Sequence, residues 1–255
     1  MTEDPMIRAP IIEVRDLAVS LGGKSIIKGY SLDVAKGDVL AILGANGIGK
    51  TTLLNCIVGL RQADAGTVTH AGLIGFVPQL FHATFAFSVL DIVLMGRARH
   101  LGLFGAPKRG DYEIAERYLT LMKVDHLRER PFNALSGGQR QLVMIAQALA
   151  SECAIMVLDE PCSALDYKNQ AIVIATLRRL NREMGLTIVF TTHAPQHGLE
   201  VASHVLLMND RRRYRHGPVA EILTAENLSS LYDVPIARAE FAAGGRFTFA
   251  PTYAP

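Results

Sequence analysis

Apolar and polar positions follow two patterns along the chain, and each predicts a different kind of strand. Residues 11–21 (IIEVRDLAVSL) and 30–37 (YSLDVAKG) alternate residue by residue, which is typical of half-buried strands. Residues 38–44 (DVLAILG), 154–161 (AIMVLDEP) and 186–193 (LTIVFTTH) contain nearly continuous apolar runs. Such runs indicate strands that are covered on both faces.

Helical patterns separate the buried runs. One helix is predicted to begin at 49–51, and another to cover 167–184. Residues 88–150 also have helical spacing, which the Gly- and Pro-rich segment 101–111 interrupts. Buried strands alternating with helices predict an α/β fold with a mainly parallel core sheet. We expect an antiparallel β sub-lobe at the N-terminus and an inserted α-helical sub-lobe over about 80–152.

The remaining segments complete the prediction of a single domain. Residues 67–79 indicate a further pair of strands, and 204–217 a terminal hairpin. One short helix is predicted over 218–233, followed by a loose tail. Because neither a linker nor an internal repeat divides the sequence, 1–255 are predicted to be one domain, with hairpin, helix and tail over about 204–255.

Composition excludes several classes of protein. The net charge of +2 over 255 residues argues neither for nor against binding of nucleic acid, and no strongly basic face is visible. Every apolar run is far shorter than the roughly 20 residues of a membrane helix, and the acidic, proline-bearing start is no secretory signal. We therefore expect a cytosolic protein. Cys56, Cys153 and Cys162 lack metal-binding spacing and are expected to be free thiols.

A phosphate-binding loop is predicted at 44–51, where GANGIGKT satisfies G-x-x-x-x-G-K-[ST] between a buried strand and a helix. Its glycines let backbone N–H groups surround phosphate oxygens at the positive helix start. Lys50 is expected to reach the β- and γ-phosphates of a nucleotide, and the Thr51 hydroxyl to bind Mg²⁺. The alternative is a glycine turn without a ligand. The predicted nucleotide-binding residues of this loop are Gly44, Asn46, Gly47, Gly49, Lys50, Thr51 and Thr52.

The acidic end of the strand at 154–161 is a second candidate site. Adjacent carboxylates at the end of a buried strand are costly unless a positive group lies beside them. We expect Asp159 to face the metal through water, and Glu160 to face the attacking water as general base. Alternatively, both acids only cap the next helix. Small P-loop kinases also have such strands, so this element does not select a reaction.

A second glycine-rich turn, LSGGQRQ at 135–141, opens another helix. Ser136 can cap that helix, and Gly137 and Gly138 leave its first N–H groups uncovered, which makes a second anion site. One nucleotide does not require two such sites in one chain. We therefore predict that this turn serves the nucleotide of a second copy related by a two-fold axis. An ordinary capped helix is the alternative.

Six motifs resemble, in their order, those of the ATP-binding subunits of ABC transporters, and the match covers residues 10–235. They are GANGIGKTT, FVPQ, LSGGQRQ, IMVLDEP, SALD and TTH. The resemblance implies hydrolysis of ATP with Mg²⁺ by a homodimer. It implies that Gln79 senses Mg²⁺ and the membrane partner, that Asp166 bridges the two subunits, and that His193 contacts the γ-phosphate and positions the water.

The expected site residues then fall into three groups. The expected catalytic residues are Glu160, His193 and Gln79, the expected metal ligands are Thr51, Gln79 and Asp159, and the expected second nucleotide-binding surface consists of Ser136, Gly137, Gly138, Gln139 and Asp166.

Two positions depart from the family pattern. Leu21 stands where an aromatic residue commonly stacks on adenine, so adenine is expected to rest on aliphatic surface. Cys162 follows DEP, where the family often has Thr, and we expect it to be a small buried residue.

The segment 88–115 resembles the helical lobe of ATPases that serve type II importers of iron-siderophores, haem, cobalamin or molybdate. Stretches such as IVFTTHAPQ are most similar to importers of molybdate and tungstate. This resemblance implies a separate permease dimer, a periplasmic substrate-binding protein and a position at the cytoplasmic face of the inner membrane, with no nucleic-acid partner. The alternatives are an importer of another metal such as zinc or manganese, an exporter subunit, or an ABC ATPase acting on nucleic acid.

Two further features have open interpretations. Phe81, Phe85 and Phe87 follow Gln79 closely and are predicted to pack in the core; alternatively, they line a groove for a short helix of the membrane subunit. The segment 210–215 (DRRRYR) is predicted to be a solvated hairpin turn, because its basic side chains are too few and too local to bind lipid or nucleic acid.

Overall fold

The computed structural model describes residues 9–79, 85–102, 105–241 and 246–252. The strands are β1 (Pro10–Leu21), β2 (Lys24–Ala35), β3 (Val39–Gly44), β4 (Ala65–His70), β5 (Ile74–Val77), β6 (Ile155–Leu158), β7 (Thr187–Thr192), β8 (His204–Met208), β9 (Tyr214–Pro218), β10 (Ile236–Glu240) and β11 (Phe247–Pro251). The α-helices are α1 (Lys50–Val58), α2 (Val89–Met95), α3 (Arg109–Leu121), α4 (Gly137–Ala150), α5 (Tyr167–Met184), α6 (Pro195–Val201), α7 (Val219–Ile222) and α8 (Ala225–Tyr232). Short 3₁₀ turns lie at Ala98–His100, Asp125–Leu127 and Phe132–Ala134.

A six-stranded sheet in the order β5-β6-β7-β3-β8-β9 forms the centre of the fold. Its strands pair in parallel except for β9, which is antiparallel to β8. Every residue of β3, β6 and β7 is buried, as parallel strands covered on both faces require. The predicted α/β fold with a mainly parallel core is therefore confirmed, and the carboxyl ends of these strands meet at one edge.

Two hydrophobic clusters cover the two faces of this sheet. Because side chains alternate along a strand, Leu40 and Ile42 belong to one cluster while Ala41 and Leu43 belong to the other. The first cluster includes β1, β2 and α1. The second, which we call the helical cluster, includes the helices α2 to α5. The central strands thus connect a β layer to a helical layer.

The N-terminal strands form the predicted antiparallel sub-lobe, with the order β2-β1-β4. The strand pair expected over 67–79 exists, but its members join different sheets. β4 pairs with β1, whereas β5 pairs in parallel with β6 of the core sheet. The turn between them therefore carries the chain from the sub-lobe into the core.

Helices α2, α3 and α4 pack on one another as the predicted helical segment, and a buried arginine ties their ends together. The Arg97 guanidinium donates to Asp111 at 3.0 Å, to the Ala150 carbonyl at 2.8 Å and to Glu152 at 2.7 Å. Hydrogen bonds from the Lys108 N–H and from Arg97 lower the pKa of Asp111. A buried charge with several partners holds the packing of these helices in one geometry.

The C-terminal region differs from the sequence prediction in three ways. The single helix expected over 218–233 is wrong: it divides into α7 and α8, because the Thr224 hydroxyl accepts from the Asn227 N–H and starts a new helix. The loose tail is also wrong. β10 and β11 form an antiparallel hairpin, in which alternation buries Phe249. Helix α6 had not been predicted.

Other predictions about single segments are confirmed. Helix α5 has the predicted bounds, and the turn at 210–215 exposes its arginines. The carboxylate of Asp210 accepts from the backbone N–H groups of Arg212 and Arg213, which lowers the pKa of Asp210 to about 2. Among the described helices, none combines the length and the apolar character needed to cross a membrane.

The three cysteines are free thiols, as predicted. Cys56 and Cys162 are buried, and Cys153 is half-buried. Burial raises the pKa of Cys162 to about 12. Its thiol therefore stays protonated, and Cys162 is the small buried residue that was expected.

We predict that Gly96→Ala destabilises the helical layer. A methyl group at Gly96 would lie 2.1 Å from the carbonyl oxygen of Gln147 on α4, so α2 must move away. Such overpacking costs about 1–3 kcal/mol. Urea denaturation followed by circular dichroism should therefore show a lower midpoint. Gly102→Ala is the matched control, because a methyl group there meets nothing within 4 Å; equal midpoints for the two variants would contradict the prediction.

Candidate active site

The phosphate loop connects the carboxyl end of β3 to the start of α1, as the sequence predicted. Gly49 precedes the helix with a φ of +115°, a left-handed conformation that favours glycine. A methyl group at Gly49 would also lie 2.6 Å from Ile26 of β2. The first turn of α1 thus packs closely against the sub-lobe, while Asn46 and Gly47 are exposed at the tip of the loop.

Lys50 is buried, with 5% of the residue exposed, although it carries a charge. Its ammonium donates to the carbonyls of Gly44 at 2.9 Å and Ala45 at 3.2 Å. It also lies 3.4 Å from Glu160 Oε1. The side chain is therefore folded over the loop and brings positive charge to the position where phosphate was predicted.

Asp159 lies at the end of β6 and connects three neighbouring elements. The Thr51 hydroxyl of α1 donates to one carboxylate oxygen at 2.7 Å, and the Thr191 hydroxyl of β7 donates to the other at 2.6 Å. Only 3% of Asp159 is exposed. Thr191 was not predicted as a site residue, although a hydroxyl at the end of a buried strand was a signal for it. Its oxygen also accepts from the Glu160 N–H at 2.7 Å.

The carboxylate of Glu160 is the point at which the three other predicted groups meet. The Gln79 amide donates to Glu160 Oε2 at 3.1 Å, and His193 Nδ1 lies 3.8 Å from the same oxygen. Lys50 lies beside the other oxygen. The φ of Glu160 is +45°, which is uncommon for a residue with a side chain and is found at functional sites. The structure therefore brings the predicted catalytic residues together.

His193 follows β7 in an exposed turn. Its side chain is 58% exposed, whereas that of Glu160 is 14% exposed. In the residues beside it, the Thr192 hydroxyl and His197 Nδ1 are 2.9 Å apart, and the Ala194 N–H donates to Thr192 at 3.1 Å. The histidine is thus open to solvent on a turn whose neighbouring residues are hydrogen-bonded.

The second glycine turn caps α4 as predicted. The Gln139 N–H donates to the Ser136 hydroxyl at 3.4 Å, and the Ser136 N–H donates to the Gln139 side chain at 3.0 Å. Ser136 and Gly137 are exposed, but Gly138 packs closely on α5, where a methyl group would lie 2.3 Å from Asn169 Oδ1. In this reciprocal arrangement, Gln139 satisfies the cap residue itself.

The second turn borders the acidic strand end without bonding to the phosphate loop, among the described residues. A cavity of about 300 Å³, lined among others by Gly137, Gln79 and Glu160, lies between the start of α4 and the acidic strand end. Among the described residues, no hydrogen bond or ion pair joins Ser136 to 44–52. The exposed turn therefore borders the same cavity as Glu160 and is open to solvent.

Asp166 has a local role in the structure. Its carboxylate accepts from the Asn169 N–H at 2.8 Å and caps the start of α5, while the residue remains exposed. Its expected role in bridging two subunits stays a prediction.

The phenylalanines after Gln79 separate into different environments. Phe81 lies outside the described residues. Core packing is wrong for Phe85, because 70% of this residue is exposed. Phe87 is half-buried against the helical cluster and meets the Phe85 ring edge-on, with centroids 6.0 Å apart. Leu21 is 40% exposed at the end of β1, as an aliphatic surface for adenine would require.

Comparison with known proteins identifies the family. A family model for the ABC transporter matches residues 27–163. MolC of Haemophilus influenzae, a molybdate import ATP-binding protein, is 47% identical over 206 residues, which cover 81% of this chain and 81% of MolC. A Helicobacter pylori protein described as an iron chelatin transport ATP-binding protein is 35% identical over 240 residues, which cover 89% of this chain and 94% of that protein.

A solved structure agrees with these relatives. A chain of a metal-chelate type ABC transporter, in an inward-facing conformation, superimposes with a TM-score of 0.92 at 42% identity. The superposition covers 96% of this chain and 98% of that one. The resemblance inferred from the six motifs is therefore confirmed, and the chain belongs to the ABC transporter family as an ATP-binding protein that hydrolyses ATP.

Proposed function

We propose that two copies of the chain form a head-to-tail homodimer, hydrolyse ATP at its interface, and so drive import of a metal oxyanion or metal chelate through a separate permease. The observation that carries this proposal is the convergence of Lys50, Gln79 and His193 on the Glu160 carboxylate. The exposed Ser136 turn, which has no hydrogen bond to 44–52 among the described residues, supports the part played by a second copy.

The residues of the site fit ATP and Mg²⁺. The Thr51 hydroxyl and the Asp159 carboxylate, 2.7 Å apart, are oxygen ligands of the kind that Mg²⁺ takes in nucleotide sites. The buried Lys50 and the start of α1 offer positive charge to phosphates. When bound, ATP supplies the phosphoryl group and Mg²⁺ neutralises its charge. The phosphates would be held by Gly44, Asn46, Gly47, Gly49, Lys50, Thr51 and Thr52.

Glu160 acts as the general base in this proposal. Its carboxylate takes the proton of the attacking water, and the Gln79 amide keeps that carboxylate oriented by donating to Oε2. His193, near the same oxygen, orients the water from the exposed side. Glu160, Gln79 and His193 lie on three separate segments of the chain and together hold the water in one position. Enzymes use such orientation to raise rates.

The homodimer completes the site. In our proposal the Ser136–Gly138 turn of each copy covers the phosphate loop of the other, so the N–H groups at the start of α4 add a second anion-binding surface. Asp166 lies near this turn: a methyl group at Gly137 would lie 3.2 Å from Leu165, the residue before Asp166. An isologous two-fold dimer presents both surfaces twice and therefore forms two equal sites.

The membrane partner is proposed to bind near Gln79. Phe85 follows Gln79 closely in the sequence and is exposed. It therefore offers an apolar contact for a short helix of the permease. In this proposal the chain lies at the cytoplasmic face of the inner membrane, and a periplasmic substrate-binding protein lies on the other side of the permease.

The cargo class is proposed from the relatives. MolC is named for molybdate import, and the two other relatives for iron chelatin and for metal chelates. All are metal oxyanions or metal chelates. Because an ATPase subunit does not itself bind the cargo, the residues of this chain narrow the choice no further.

We predict that Glu160→Gln lowers ATP hydrolysis by about 10²-fold or more, because the amide cannot accept the proton of the water. ATP should then hold the variant as a dimer, which is measured by size-exclusion chromatography with light scattering, and phosphate release gives the rate. The control is Glu113→Gln on the exposed face of α3, which should hydrolyse ATP at the parent rate. Full turnover by Glu160→Gln would contradict the assignment of the base.

We predict that Ser136→Arg abolishes turnover but leaves nucleotide binding by the isolated chain nearly unchanged, because the turn serves the other copy. Fluorescent-nucleotide titration and phosphate release measure the two properties. Ser88→Arg is the matched control, since Ser88 forms the same kind of capping box on α2. A large loss of binding by Ser136→Arg would indicate that the turn acts on the nucleotide of its own chain.

Transport can be tested in cells. We expect that replacing the chromosomal copy with Glu160→Gln abolishes accumulation of the cargo, measured for molybdate and for a ferric chelate by elemental analysis. Glu113→Gln cells should accumulate the parent amount. Unchanged accumulation of both molybdate and the ferric chelate in Glu160→Gln cells would contradict the proposed cargo class.

A further inference from the structure

The C-terminal region reaches the turn that carries His193. The Tyr232 hydroxyl, at the end of α8, donates a hydrogen bond of 3.0 Å to the carbonyl oxygen of His193. These two residues are 39 positions apart in the chain. The sequence motifs end before α8, so nothing in them pointed to this contact.

Tyr232 is held firmly in place. Helix α8 buries Leu228 and Leu231 in the helical cluster, and Tyr232 itself packs against that cluster. After the helix, the Ile236 N–H returns to donate to the Ser229 hydroxyl at 2.9 Å. Burial raises the pKa of Tyr232 to about 12, so its hydroxyl stays a donor at neutral pH. The hydroxyl that contacts His193 thus belongs to a helix end that is fixed by packing and by hydrogen bonds.

The C-terminal hairpin is bound to α6, the helix that follows the His193 turn. Gln196, in the first turn of α6, donates to the Phe249 carbonyl at 2.9 Å and to the Thr248 hydroxyl at 3.0 Å. Arg246 donates to Glu200 at the other end of α6 at 2.7 Å. Because Phe249 is buried in the helical cluster, these bonds connect α6 to the core.

We propose that Tyr232 is a positioning residue for ATP hydrolysis, which fixes the peptide after His193 and thereby aims the imidazole at the Glu160 carboxylate. This inference rests on the role of His193 in the proposed function. A carbonyl held by a hydrogen bond cannot rotate freely, so the backbone at His193 and the direction of its side chain are restricted. The imidazole itself is exposed and lies 3.8 Å from Glu160, beyond hydrogen-bond distance, so its own contacts restrain it less than the backbone does.

The test is Tyr232→Phe in the full chain, assayed by phosphate release at saturating ATP. The variant keeps the ring and its packing but loses the donor. A lost hydrogen bond of this kind predicts a kcat that is roughly 3- to 10-fold lower. The KM for ATP should be unchanged, because the phosphate loop is untouched.

Tyr30→Phe is the matched control. The Tyr30 hydroxyl also donates to a turn carbonyl, that of Asp210 at 2.7 Å, but far from His193 in sequence and in a different hydrophobic cluster. Its removal should leave kcat within twofold of the parent. An equal fall of kcat in both variants, or no fall in Tyr232→Phe, would overturn the inference.

A double-mutant cycle shows whether Tyr232 acts through His193. In the His193→Ala background, Tyr232→Phe should lower the residual rate no further, because the side chain it positions is gone. A further fall as large as in the parent would overturn the inference alone. If His193→Ala itself hydrolyses ATP at the parent rate, both the proposed role of His193 and this inference fail.

Discussion

The buried carboxylate of Asp159 is the interaction on which the rest of the site depends. Each of its oxygens accepts a hydrogen bond from a hydroxyl, one from Thr51 of α1 and the other from Thr191 of β7. These bonds satisfy a charge that would be costly to bury alone, and they join the ends of three elements at one edge of the sheet. Glu160 follows directly, so its unusual backbone conformation is fixed by the same arrangement.

The sequence predicted the parts of this arrangement that local chemistry dictates. A glycine loop between an apolar strand and a helix, and two acids after four apolar residues, have few structural interpretations. Parallel pairing then brings β3, β6 and β7 to a common edge, so the meeting of Lys50, Asp159 and Glu160 followed from topology. Thr191 was missed because its hydroxyl signals only a polar strand end, whereas its partner, Asp159, depends on the pairing of β6 with β7.

The C-terminal region was harder to predict for a physical reason. Its segments are short, and their stability comes from contacts with distant parts of the chain. The division between α7 and α8 depends on one capping hydroxyl, and the hairpin of β10 and β11 depends on the burial of Phe249 against helices far away in sequence. Local periodicity therefore predicted one helix and a loose tail, whereas tertiary packing produced two helices and a sheet.

The buried hydrogen bonds of Arg97 fix one end of α4 and leave the other end to a different kind of contact. The guanidinium holds the carboxyl end of that helix, at Ala150, whereas Ser136 caps the opposite end. A helix of 14 residues is about 21 Å long. The two ends of the helix are held by different chemistry: an ionic network at the carboxyl end, and a serine and a glutamine that exchange two hydrogen bonds at the amino end. The stiff rod of the helix thus joins an ion-paired anchor to a neutral tip that faces solvent.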